Sequence, residues 1–449
     1  MMSKMRRFIL FAAAFLTVQA LHAQPVLSLK ECIDFGLANH PAIAVARNNQ
    51  ENSRQQAREA IASYLPQVNI NANVTNNLKL QTNVIPAGVF GPEEQRITFG
   101  NKYATQAIAD ANQPIYNRSL LLGIRANKPN TELSTLNLEQ TRQTIIYNIA
   151  TAYYQILINQ QQLKLLDTNR ARIARLVRVS NLQAELGVAK KVDAKQVQVQ
   201  LNNIESQRTV ALNSIEVAQN ALNNAMGIYE QDAPPIQLKD TSRWLNMANA
   251  VTTPGTAFRS NQTLDYLIQD KRIELLDLQA KVLRAGNYPT LSAFAQYGFN
   301  GFGNQFREVF DRQFDFSSVG LRFSLSLFDG FRRSAQYRQA LIDRDNARLN
   351  QKLSQANQNL QFLNAGSRVQ RAQATLASNK ANLDLASEVY ENVSLQYRQG
   401  VGSLSDLLNA ETSYSDAQNN YIQSMIDLYL SQLDIERANS TLEAYYQQL

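Results

Sequence analysis

Hydrophobic and polar residues change period several times along this chain. Val68, Ile70, Ala72 and Val74 alternate with Asn69, Asn71, Asn73 and Thr75. A period of two predicts a strand with one apolar and one polar face. Leu291, Ala293, Ala295, Tyr297 and Phe299 form another such row. In the cleanest case Val319, Leu321, Phe323, Leu325 and Leu327 alternate with Gly320, Arg322, Ser324 and Ser326. A weaker row runs from Tyr103 to Ile115, so strands are expected at about 67–80, 100–115, 290–302 and 315–328. Elsewhere the spacing is helical. Ile145, Ile149, Ala152, Ile156, Leu163, Leu166, Ile173 and Val177 predict a helix over 131–186, with Asn159 and Arg170 interrupting its seam. Leu407, Ala410, Tyr414, Ala417, Tyr421, Ser424 and Leu428 begin a seam that predicts another over 403–446. Residues 28–63, proline-free apart from Pro41 and rich in Ala, Gln, Glu and Arg, read as a third. At 1.5 Å per residue the helix over 131–186 is roughly 84 Å long. Helices of that length predict an extended bundle or barrel.

The pattern occurs twice. Leu186-Gly187-Val188-Ala189-Lys190-Lys191-Val192-Asp193 is similar to Gln399-Gly400-Val401-Gly402-Ser403-Leu404-Ser405-Asp406, 213 residues on. Gln113-Pro114-Ile115-Tyr116-Asn117 is similar to Ser326-Leu327-Phe328-Asp329-Gly330, and Tyr64-Leu65-Pro66 to Asn287-Tyr288-Pro289. Three landmarks in one order define two copies of a unit, 24–227 and 257–449. Residues 228–256 join them and carry Pro234, Pro235 and Pro254, a linker signal.

Apolar-out, polar-in alternation over about ten residues is what an outer-membrane β-barrel requires. The polar rows, with candidates Asn69, Asn71, Asn73, Arg322, Ser324 and Ser326, would then face a water-filled lumen. Four strands cannot close a barrel, since outer-membrane barrels begin at about eight. An open edge is not tolerated in lipid. Several chains must therefore combine: three would supply twelve strands and two would supply eight.

Charge and composition narrow the chemistry. Lys4, Arg6 and Arg7 precede the apolar stretch Phe8–Val18, and Leu21-His22-Ala23 offers a cleavage site, so residues 1–23 read as an export signal. Its removal lowers the formal charge from +7 to +4 and leaves little case for a nucleic-acid partner. The 89 amides outnumber the 81 charged residues. Neutral polar side chains in that number suit surfaces that border water. His40 is the one histidine after the signal and Cys32 the one cysteine. That pair excludes a Cys/His zinc cluster and a disulfide within the chain; His40, beside Pro41 on the N-terminal helix, is no plausible member of a Ser/His/Asp set, and no enzyme, metal or cofactor is expected. Gly298-Phe299-Asn300-Gly301-Phe302-Gly303 lacks the lysine of a phosphate loop.

The ordered, doubled motifs give a resemblance. Leu27-Ser28-Leu29-Lys30-Glu31, Asn39-His40-Pro41, Tyr64-Leu65-Pro66, Ser318-Val319-Gly320-Leu321 through Leu327-Phe328-Asp329-Gly330, and the two Gly-to-Asp segments together resemble the TolC-like outer-membrane efflux proteins. The resemblance covers essentially the whole chain after the signal. It implies a mainly α fold with a small membrane β part. Three chains would form a twelve-stranded barrel in the outer membrane of a Gram-negative bacterium, continuous with a periplasmic α-helical barrel. It implies a passive exit duct of a tripartite efflux or type I secretion system. Its partners would be a periplasmic adaptor and an inner-membrane pump of resistance-nodulation-division or ABC type. A periplasmic coiled-coil protein without a pore is the alternative reading.

A glycine six residues before an aspartate, between long helices, predicts a helix reversal, with the carboxylate in the first turn of the returning helix. The resemblance implies that these reversals dock the adaptor through Gly187, Val188, Gly400, Val401, Gly402 and Ser403. It also implies a gate of Asp193, Tyr397 and Asp406. Asp406 matches a pore-facing acidic position, while Asn409 stands where the family prototype has a second acid. Tyr397 and Asp193 match a link between helices whose arginine partner is replaced by Gly402.

Overall fold

A computed structural model of the chain describes residues 26–85, 87, 92, 95–229, 236–239 and 258–448. The export signal at 1–23 and most of the 228–256 linker lie outside the described residues. The chain divides into two compact units.

In one unit (described residues 26–47, 138–264 and 354–448), strand β1 (Val26–Leu27) leads into helix α1 (Leu29–Asn39). Ser28 caps α1: its Oγ accepts from Glu31 N at 3.3 Å, and Glu31 Oε2 accepts from Ser28 N at 2.7 Å. This reciprocal box holds the Glu31 carboxyl below its usual range, chiefly through the bond from the Ser28 backbone. The helix expected over 28–63 is two helices, because α2 (Pro41–Ala62) starts afresh at a proline. Pro41 has no N–H to donate and drives His40 to an extended ψ of 125°. His40 Nδ1 then accepts from Ala42 N at 3.1 Å. The core of this unit joins Cys32 and Ile33 of α1 to Ile146, Ile149 and Ile156 of α4 (Asn127–Glu185). Leu222 of α5 (Lys191–Met226) and Leu428 and Leu433 of α9 (Leu404–Ala438) complete it. Burial pushes the Cys32 thiol up to about 12. Strand β6 (Gln237–Leu238) pairs in parallel with β1, and the final helix α10 (Leu442–Gln448) buries Leu442. The helix expected over 403–446 breaks at Ser440, whose φ is +58°.

The other unit (48–137 and 265–353) holds the sheet. Strands β2 (Gln67–Asn76), β5 (Tyr103–Tyr116), β7 (Thr290–Gly303) and β8 (Gln313–Ser324) run antiparallel in the order β2-β5-β7-β8. A small hairpin, β3 (Thr82–Ile85) with β4 (Gln95–Thr98), lies within the segment that separates β2 from β5. Short helices α3 (Arg118–Arg125) and α7 (Glu308–Asp311) and the longer α6 (Leu264–Ala285) flank the strands in sequence. Helix α8 (Arg332–Arg398) follows the last strand and continues into the first unit. That strand ends at Ser324, so Ser326 lies beyond it. Thr290, the first residue of β7, already pairs with Ser324, and the next carbonyls find another partner. Arg333 donates Nη2 to Ser326 O at 2.9 Å, Nε to Asp329 Oδ2 at 2.6 Å, and Nη1 to Gly286 O.

Candidate functional site

In an antiparallel sheet, directly paired residues project to the same face. The register therefore assigns each side chain. Val68, Ala111, Ala295 and Val319 form one row across all four strands, and Leu321 and Phe323 continue that face along β8. Val319 is 83% exposed. Along β8 this face turns polar toward its loop end, at Ser317, Asp315 and Gln313, and on the other strands it also carries Asn76, Thr105 and Gln113. The opposite face carries the row Asn69, Asp110, Gln296 and Ser318. Asn71 and Asn73 extend it on β2, and Arg322 and Ser324 on β8. Five of the six residues expected on the polar face thus share it, and Ser326 does not because the strand stops short. Asp110 accepts from Asn71 Nδ2 at 3.0 Å. Its strand is the weakest in alternation, and only the register reveals its place.

The two reversals repeat one backbone motif. Gly187 has φ +73° and Gly400 has φ +80°. Val188 N donates to Gln183 O at 2.9 Å, and Val401 N to Gln396 O at 3.0 Å. Each is a Schellman closure, in which a left-handed residue lets the chain satisfy the last carbonyls of a helix. Glycine reaches that conformation without a Cβ penalty. Val188 and Val401 are each 77% exposed, so both reversals present an apolar side chain at the turn. Leu186 and Val192 add exposed apolar surface to the first.

The returning helices begin differently. Ser403 Oγ accepts from Asp406 N at 3.1 Å and donates to Asp406 Oδ2 at 2.7 Å. Lys190, at the matching position, makes no side-chain cap. Asp406 is engaged with its own helix start, and Asn409 is exposed on the next turn. Tyr397 donates its hydroxyl to Gln183 Oε1 at 3.4 Å. Burial first, and the Asp193 carboxylate second, push the Tyr397 phenol above its ordinary value. Tyr397 therefore bonds to Gln183 and lies within electrostatic reach of Asp193 in the same chain. Gly402 is not a neutral replacement for a long side chain: a Cβ there would stand 2.9 Å from Tyr397 N.

A cluster that sequence reasoning missed lies further along these helices. Glu411, 3% exposed, accepts from Arg172 Nη2 at 3.0 Å. The Arg172 guanidinium lies over the rings of Tyr390 and Tyr414, at 4.9 and 5.1 Å, and also donates to Asn169. Burial outweighs Arg172 and raises the Glu411 carboxyl. A cavity of about 320 Å³ connects Glu411 and Arg172 with Tyr390, Tyr397 and Leu407. The available signal was an acid one helical turn after Leu407, beside an apolar seam. Asn159, read as a seam interruption, is buried and donates to Ser214 O at 2.9 Å. Among the described residues no His/Cys/Asp/Glu group could hold a metal.

Comparison with known proteins accords with this geometry. The outer membrane efflux protein family model matches residues 33–228 and 269–439, one segment per repeat. The alkaline protease secretion protein AprF of Pseudomonas aeruginosa is 22% identical over 89% of this chain and 82% of its own. The outer membrane protein TolC of Escherichia coli is 20% identical over 90% of this chain and 80% of its own. Among solved structures, CusC superposes with a TM-score of 0.75 at 15% identity, covering 92% of each chain. The Campylobacter jejuni outer membrane channel CmeC gives a TM-score of 0.74 at 15% identity, covering 94% of this chain and 88% of its own. The chain is a member of the outer membrane efflux protein family, whose members are channel proteins.

Proposed function

We propose that three copies of this chain close a twelve-stranded barrel in the outer membrane, and that the barrel is the exit duct of a tripartite efflux or type I secretion system. One observation carries the reading. The sheet has an exposed apolar face, a polar face, and two open edges, β2 and β8. In lipid those edges must pair, and β8 of one copy meeting β2 of the next satisfies both. The apolar face, with Val68, Ile70, Val319 and Leu321 exposed, then meets lipid, and the polar face meets water.

Under this reading the reversals around Gly187 and Gly400 offer Val188 and Val401 to a periplasmic adaptor. An inner-membrane pump of resistance-nodulation-division or ABC type delivers the cargo. The names of two relatives refer to protease secretion and to efflux, and the cargo proposed for this duct is a protein or a small molecule. Asp193, Tyr397, Asp406 and Asn409 line the entrance, with Tyr397 holding the two helix pairs together through Gln183.

Membrane fractionation followed by gel electrophoresis of unheated and heated samples tests the reading. The expected result is an outer-membrane oligomer of three chains that heat dissociates. A soluble periplasmic monomer would overturn it in favour of a coiled-coil protein without a pore.

A further inference from the structure

The sheet register places two charges on the polar face whose consequence extends beyond wetting a lumen. Asp110 stands in the row of Gln296, and Arg322 in the row of Ser292. Among the described residues, the paired rows of that face hold no other acid or base. Neither charge is cancelled. Asp110 accepts from the neutral amide of Asn71, and none of the ion pairs among the described residues includes Arg322.

Arg322 is positioned by an aromatic shelf. Its guanidinium lies 5.2 Å from the Phe294 ring centroid. Phe294 itself lies close over Gly320, where a Cβ would come within 3.0 Å of the ring. The stack holds the cation against the wall while leaving its charge available.

Ser292 and Gln296 are four residues apart on β7, about 13 Å at ~3.3 Å per residue. That exceeds the Debye length of about 8 Å at physiological ionic strength, so each charge acts as a separate station. Arg322 lies at the end where β8 leads toward α8, and Asp110 lies further toward the loops.

We propose that Arg322 forms a ring of three guanidiniums at the helix-side end of the barrel lumen, that Asp110 forms a ring of three carboxylates beyond it, and that the two rings impose opposite charge preferences on what passes. This rests on the trimeric barrel proposed above. Rings of charged side chains select ions by sign in water-filled pores. Cargo arriving through the helical part meets the cationic ring first, so that ring favours anionic cargo at the barrel's entry.

The test is the reversal potential of the purified channel in planar bilayers under a potassium chloride gradient. Arg322→Gln should shift it toward cation selectivity and Asp110→Asn toward anion selectivity. No shift in either variant, or shifts of the same sign, would overturn the proposal. A second measurement separates this failure from failure of the barrel. Cys32 is buried with a raised thiol, so Arg322→Cys adds the one reactive sulfur. Labelling by a charged, water-soluble thiosulfonate supports the lumen placement. If labelling succeeds and selectivity is unchanged in the charge variants, the rings alone are wrong. Labelling only by a lipid-soluble maleimide would overturn both the rings and the barrel.

Discussion

Replacing Gly400 by alanine isolates the cost of a left-handed backbone. Gly400 has φ +80°, and a Cβ built there meets nothing within 4 Å. Packing therefore neither gains nor loses, and the penalty is that of an L-residue in the left-handed region, about 1–2 kcal/mol. The closure it supports is read by two amides, Val401 N and Gly402 N, which donate to Gln396 O at 3.0 and 3.1 Å. A loss of one to two kcal/mol raises the open population about 5- to 30-fold. Hydrogen–deuterium exchange at these two amides in the assembled protein should accelerate by that factor. Gly400→Asn should cost less, because asparagine tolerates the left-handed region. Gly187→Ala should match Gly400→Ala, since Gly187 has φ +73° and equally open space. Wild-type exchange in Gly400→Ala, or an asparagine variant as fast as alanine, would refute the backbone argument.

Three further outcomes follow from the same geometry. Ser403→Ala should weaken the start of α9 by about 1 kcal/mol, and Lys190→Ser should strengthen the start of α5 by a similar amount, both read as exchange in the first helical turn. Glu411→Ala should destabilise the protein by about 3 kcal/mol, because it leaves Arg172 partly buried without its acid. Glu411→Gln should instead flatten the pH dependence of thermal unfolding. The raised carboxyl means that the folded chain binds this proton more tightly than the unfolded one. The site's contribution is full below the ordinary value of 4.5 and declines as pH rises through the raised value. A wild-type advantage over the glutamine variant that grows as pH rises would refute that sign. Val319→Arg on the apolar face should cost about 2–4 kcal/mol in the membrane and reduce the assembled oligomer, whereas Ser318→Arg, one residue away on the polar face, should assemble.

The period-two rows were legible where one strand keeps its alternation over several residues, as Asn69, Asn71 and Asn73 do on β2 and Val319, Leu321 and Phe323 on β8. The last row, however, runs on through Leu325, Ser326 and Leu327, while the strand stops at Ser324. Alternation records which side of a ribbon faces what, but a strand also needs a neighbour, and β7 begins at Thr290. Pro41 carried the signal for the α1/α2 break, but helix-favouring composition on both sides concealed it. The hairpin of β3 and β4 was hidden in a stretch rich in Pro and Gly with no sustained period. At the reversals, glycine spacing located both turns. It did not show that Asp406 is occupied by Ser403 or that Gly402 admits no side chain without a shift. Asp110, Arg172 and Glu411 escaped notice for a shared reason. Each acquires meaning from a partner far away in sequence, through strand register for Asp110 and through contact between helices for the other two.

The two open edges of the sheet also have a genetic consequence. In the three-chain closure each copy must pair with two neighbours, and one defective edge spoils the whole ring. A proline placed within β2 would remove a ladder donor and block one edge while leaving the other free to recruit partners. Co-expressed at equal levels with the normal chain, such a variant should leave only about one ring in eight wholly normal. The allele would therefore be dominant, and export would fall as the third power of the normal fraction rather than in proportion to it.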